Sequence, residues 1–155
     1  MQKNSQKQQK VSKNNMDWLI RKYEGFSSKP YLCPAGVATI GYGTTRYPDG
    51  TKVSMADDPI NEDQASAYLN SYLIYQILPY IKDLDLTDNQ RTALVSLIYN
   101  IGWGAFYKSK CYKAIKAKDW GTAYKEWDWI TGGGKVLNGL IKRREEERYL
   151  FFMDI

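Results

Sequence analysis

Three side chains of different chemistry stand close together near the start of the chain: the carboxyl of Glu24, the thiol of Cys33 and the hydroxyl of Thr39. Glu24 closes a stretch in which Met16, Leu19, Ile20 and Tyr23 recur at i, i+3, i+4 and i+7, the spacing of one helical face. A carboxyl at that helix end, beside Tyr23 and Phe26, is expected to be partly desolvated, a setting that suits a proton donor. Cys33 and Thr39 are six residues apart across a turn, a spacing that lets both face the cleft that Glu24 borders. Glycoside cleavage needs a proton donor on one side of a sugar and a nucleophilic or water-activating group on the other. The same residues fit plainer roles equally well: a helix-end acid, a small buried thiol and a strand threonine. Spacing alone does not separate the two readings.

Composition narrows the chemistry. The chain has 155 residues, 43% apolar, 25% charged and 14% aromatic, which suits one domain with one continuous core. It contains no histidine, so Ser-His-Asp catalysis, Cys-His proteolysis and most zinc sites are excluded. Cys33 and Cys111 are too far apart in sequence for a metal-ligand pair or a disulfide framework, and Cys111 falls at an apolar core position. No apolar run approaches the roughly 20 residues of a membrane span, and Met1 to Asn15 lacks the apolar stretch of a signal peptide.

Charge is unevenly placed. Residues 1–15 carry Lys3, Lys7, Lys10 and Lys13 without an acid and read as a flexible basic tail, which accounts for four of the five net charges. Residues 48–90 hold eight acids against two bases, whereas residues 105–144 hold ten bases against three acids. A field of that kind steers an anionic polymer toward one face. No nucleic-acid-binding motif accompanies it.

The elements that must position the reactive groups follow from local signals. Residues 30–50 are rich in Gly, Pro, Thr and Tyr, with Val37–Ile40 as a strand and tight turns at Pro34-Ala-Gly36 and Pro48-Asp-Gly50, so a short antiparallel sheet is expected. Asn61 with Gln64, and Thr87 with Gln90, read as capping boxes opening two helices. The first of these helices bends or ends near Pro79. Ser109 and Asp119 open two further helices, Gly132–Gly134 forms a loop, and a last helix runs from about Val136 to Phe152. A small sheet followed by helices is an α+β pattern, a single two-lobed domain over residues 16–155.

The order of these motifs resembles a known family. Glu24-Gly-Phe with Cys33 and Thr39 is similar to the E-x8-(D/C)-x5-T triad of phage-type lysozymes and endolysins, glycoside hydrolase family 24. Ile40-Gly-Tyr-Gly-Thr44, Asn100-Ile-Gly-Trp-Gly-Ala-Phe106 with Ser109, Trp127, Gly133 to Leu140, Arg143-Arg144 and Glu147 follow in the family's order. The resemblance implies a lysozyme-like fold, with a small N-terminal sheet lobe and a mostly helical C-terminal lobe. It also implies cleavage of the β-1,4 bond between N-acetylmuramic acid and N-acetylglucosamine in peptidoglycan. Glu24 would be the general acid, Cys33 and Thr39 would stand on the nucleophile or water side, and Tyr42, Tyr99 and Asn100 would line the sugar groove. Periodicity places Tyr99 equally well in the core.

Cys33 departs from the commoner aspartate. A neutral thiol is a poor base for water, whereas a thiolate is a strong nucleophile. Arg143 or Arg144 is expected to pair with Glu24 across the lobes, although a solvated basic face explains each as well. Trp103, Trp120, Trp127 and Trp129 read as lobe packing. No metal or cofactor is implied. The expected partner is the peptidoglycan strand, met by a monomer without nucleic acid or stable membrane insertion. The expected route is accumulation in a host cytoplasm followed by action on the wall in the periplasm.

Overall fold

The computed structural model describes residues 16–155; the basic stretch 1–15 lies outside the described residues. Helix α1, Trp18–Glu24, buries Leu19 and Ile20 and stops at Gly25, whose φ of 66° turns the chain while its N–H bonds the Arg21 carbonyl at 3.0 Å. At the other end of α1, Asp17 is buried and pairs with Arg21 at 2.8 Å.

Strands β1, Ser27–Leu32, and β2, Ala38–Gly41, form the expected antiparallel pair, with Tyr31 opposite Thr39 and Leu32 opposite Ala38. The register slips between Ser27 and Tyr31, the stretch that contains Pro30, a residue with no N–H to give the ladder. Both predicted turns are present: Gly36 N–H bonds the Cys33 carbonyl at 2.8 Å and Gly50 N–H bonds that of Tyr47 at 2.9 Å. The sheet rests closely on the next helix. A Cβ on Gly41 would come within 3.0 Å of the Ala65 Cβ.

That helix, α2 (Glu62–Tyr72), opens with the Asn61–Gln64 capping box, and α4 (Asp88–Ile101) opens with the Thr87–Gln90 box. Between them the expected bend near Pro79 takes the form of a π-helical turn, Leu73–Ile77, leading into the short helix α3, Leu78–Ile81. Helix α4 is the axis of the large lobe. Leu94, Leu97 and Ile98 on it are almost wholly buried, and it packs along the last helix, α8 (Asn138–Phe152). Around it sit α5 (Trp103–Tyr107), α6 (Lys110–Lys116, capped by Ser109) and α7 (Trp120–Lys125, capped by Asp119). Cys111 is a buried free thiol in this core, and Trp127 is fully covered against Phe151.

Two boundaries differ from expectation. Gly132–Gly134 belongs to a small hairpin of β3, Thr131–Gly132, and β4, Lys135–Val136, rather than to a free loop; Gly133 and Gly134 supply the positive φ angles that its turn needs. Helix α8 therefore begins at Asn138, not near Val136, and runs to Phe152. Its buried face holds Arg143, Arg144 and Glu147 beside Phe151, so it carries no ordinary apolar stripe.

Candidate active site

Glu24 is the last residue of α1, and its side chain is four-fifths covered, with 21% exposed. The carboxylate is held from two directions. Oε1 accepts a hydrogen bond from Arg143 Nη1 at 2.9 Å, joining α1 to α8. Oε2 lies against the main chain of Gly43, where a Cβ would approach it to 2.7 Å; with φ at +82°, Gly43 is required both by its backbone conformation and by the carboxylate it admits. Of the two arginines considered for this pairing, Arg143 makes it and Arg144 does not.

Arg143 is itself fixed by a buried polar cluster. Its Nε donates to Ser96 Oγ at 3.2 Å and lies 3.4 Å from Glu147 Oε2, while Nη2 donates to the Ser96 carbonyl at 3.1 Å. Glu147 is fully buried and receives the Ser96 hydroxyl at 2.6 Å and the Trp127 indole N–H at 3.3 Å. Arg144 completes the cluster. Its Nη2 donates to Glu147 Oε2 at 3.3 Å, and its Nε lies 2.8 Å from Oε1 as an ion-pair contact whose N–H is not aimed at the oxygen. Burial pushes the Glu147 carboxyl above its ordinary value, opposed by both guanidiniums and the two neutral donors. Every group around Glu147 donates, which is the setting of a carboxylate rather than of a neutral acid.

The thiol and hydroxyl candidates sit on and beside the small sheet. Cys33, partly exposed, follows β1, and its N–H bonds the Val37 carbonyl at 3.0 Å across the turn. Desolvation pushes its thiol up, but main-chain N–H groups of Val37 and Ala35 and the neighbouring Thr39 hydroxyl together bring it below the ordinary thiol range. Thr39 is buried, and its hydroxyl donates to the Val37 carbonyl at 2.9 Å. Tyr31 stands opposite Thr39 in the sheet. Burial and the nearby Glu24 and Cys33 raise its phenol, which places one ring within electrostatic reach of both.

The three remaining candidates lie in different settings. Tyr99 reaches the Tyr42 carbonyl with its hydroxyl at 2.6 Å and meets Tyr72 edge-on at 5.3 Å, and its phenol is raised by burial and by Glu24. The Tyr42 ring is only 8% exposed, beside Phe26 and beneath the Arg21 guanidinium, so its carbonyl rather than its ring serves the neighbourhood of the site. Asn100 is exposed, with Oδ1 accepting from Arg144 Nη2 at 2.9 Å. Sequence reasoning passed over Tyr31, Ser96 and the clamp at Gly43. The pairing of Tyr31 with Thr39 was available once the strands were in register, but Ser96 carried no signal, being one small polar residue in an apolar helix.

The groups described are a clamped carboxyl at the end of α1 and a thiol–hydroxyl pair beside the small sheet, the residue types that proton donation and nucleophilic attack require. Among the described residues no group of three or more His, Cys, Asp or Glu is arranged to hold a metal ion, and no helix is long and apolar enough to cross a membrane.

Comparison with known proteins agrees with this geometry. The phage lysozyme family matches residues 21–147. An endolysin of Acyrthosiphon pisum secondary endosymbiont phage 1 is 36% identical over 140 residues, covering 86% of this chain and 92% of that protein. An endolysin from the Escherichia coli phage FAHEc1 superposes with a TM-score of 0.74 at 31% identity, covering 92% of each chain. The muramidase domain of SpmX from Asticaccaulis excentricus does so with a TM-score of 0.70 at 30% identity, covering 86% of this chain and 92% of that one. The chain belongs to the phage lysozyme family and is a glycoside hydrolase that lyses the bacterial cell wall.

Proposed function

We propose that this muramidase hydrolyses the β-1,4 bond between N-acetylmuramic acid and N-acetylglucosamine, with Glu24 protonating the leaving glycosidic oxygen. The observation that supports this most directly is the placement of Glu24, clamped between Arg143 and Gly43, with Tyr31 in electrostatic reach of both it and Cys33. Cys33 stands on the nucleophile side, where the donors around its sulfur favour the thiolate. Thr39 orients that sulfur or the water beside it. Tyr99 and Asn100 border the sugar groove, while Tyr42 acts through its carbonyl, which anchors Tyr99. The chain works on the glycan strand as a monomer and needs no cofactor.

Release of reducing ends from purified peptidoglycan tests the assignment. Glu24→Gln abolishes it, since an amide cannot donate the proton at useful acidity, and Cys33→Asp retains it where Cys33→Ala loses most of it. A fully active Glu24→Gln enzyme refutes the role of Glu24, and equal activity in the two Cys33 variants refutes that of Cys33. The anomeric configuration of the first product, read by proton NMR, separates direct attack by sulfur with retention from activation of water with inversion.

A further inference from the structure

Arg143 touches two carboxylates at once, Glu24 at 2.9 Å and Glu147 at 3.4 Å. A lone guanidinium against Glu24 would hold that group as a carboxylate, the form that cannot protonate a leaving oxygen. Glu147 supplies a second anion on the far side of the same cation. Ser96 is the coupling between them: its hydroxyl proton goes to Glu147 and its lone pair receives Arg143 Nε, so the three groups share one orientation. We propose that Glu147 is a positioning residue for Glu24, drawing part of the Arg143 charge onto itself through the Ser96 bridge and so leaving Glu24 able to carry a proton. The inference rests on Glu24 being the acid of the reaction and names the buried carboxylate that regulates it.

The other groups around the pair do not supply this effect. Glu24 is faced by Tyr99 from α4 and by Tyr31 from β1, both uncharged over the acid range in which a carboxyl titrates. Glu147 is faced by Ser96 from α4, Trp127 after α7, Tyr23 from α1 and Arg144 on its own helix. Arg143 is thus the charged group common to both carboxylates.

The experiment follows the Glu24 carboxyl carbon by NMR through an acid titration of the whole protein, the resonance being assigned by its loss in Glu24→Gln. Two carboxylates flanking one guanidinium, on the order of 7 Å apart at an effective dielectric of about 20, couple strongly enough to move a midpoint by about 1.7 pH units. In Glu147→Gln the Glu24 midpoint falls by about that amount. Glu147→Asp keeps the buried charge but withdraws it by one methylene, so it guards against a Gln variant that fails to fold; its midpoint falls in the same direction by less. An unmoved Glu24 midpoint in either folded variant overturns the proposal and leaves Glu147 a purely structural residue. The titration does not depend on turnover, so loss of the hydrolytic reading would show separately, as a wild-type protein that releases no reducing ends.

Discussion

Substituting Gly43 by alanine separates backbone strain from damage to the acid. The residue has φ +82°, where an L side chain costs roughly 1–2 kcal/mol, partly offset by about 0.4–1 kcal/mol from the stiffer unfolded chain. Gly50 is the matched control, with φ +88° and nothing within 4 Å of an added Cβ. Both variants should therefore lose about 1 kcal/mol in urea unfolding. Only Gly43→Ala sets a methyl 2.7 Å from Glu24 Oε2 and 2.9 Å from its Cδ, well inside ordinary contact. Arg143 holds the opposite oxygen, so the carboxylate cannot withdraw without disturbing that bond. A displacement approaching 1 Å costs on the order of a hundredfold in rate. Initial rates of reducing-end release should then fall tenfold to a hundredfold in Gly43→Ala, roughly as expected of a misplaced acid, and stay near wild type in Gly50→Ala. Equal activities in the two variants, at equal stability, would refute the idea that the Gly43 backbone holds the acid in place.

Two other outcomes follow from the same geometry. Iodoacetamide should label Cys33 and spare Cys111 in the folded protein, because the first is partly exposed with a lowered thiol and the second is buried and pushed up to about 12 by burial and by Glu126 and Asp128; mass spectrometry across pH should show Cys33 labelling reach half its maximum below the ordinary thiol range. Thr87→Ala removes the hydroxyl that accepts the Gln90 N–H at 3.2 Å and should cost about 1 kcal/mol in denaturant unfolding, a value near zero showing that the box does not fix the start of α4.

What could be read from sequence was what depends on near neighbours. Asn61–Gln64 and Thr87–Gln90 each satisfy the other's main-chain N–H over three residues, so the signature and the structure are nearly the same object. The turns at Gly36 and Gly50 were legible for the same reason. The start of α8 was not, because Val136 and Leu137 extend its apolar pattern upstream while the Gly133–Gly134 turn commits Val136 to a strand only two residues long. The triad of Glu24, Cys33 and Thr39 was visible as residue types at a spacing, yet its restraints were not. Arg143, Arg144 and Glu147 look like a solvated helix face; they are buried because they balance one another and because Ser96 and Trp127, both distant in sequence, point donors at the same carboxylate. Long-range pairing of that kind leaves no periodicity to detect.

Glu24 and Arg143 are 119 residues apart, one at the end of α1 and the other in α8. Every chain that terminates before α8 lacks Arg143 and Glu147 together, along with the helix that packs on α4. The acid and its counter-ion are thus brought together by tertiary packing alone, and any change that lifts α8 away from α4 also takes Arg143 away from Glu24.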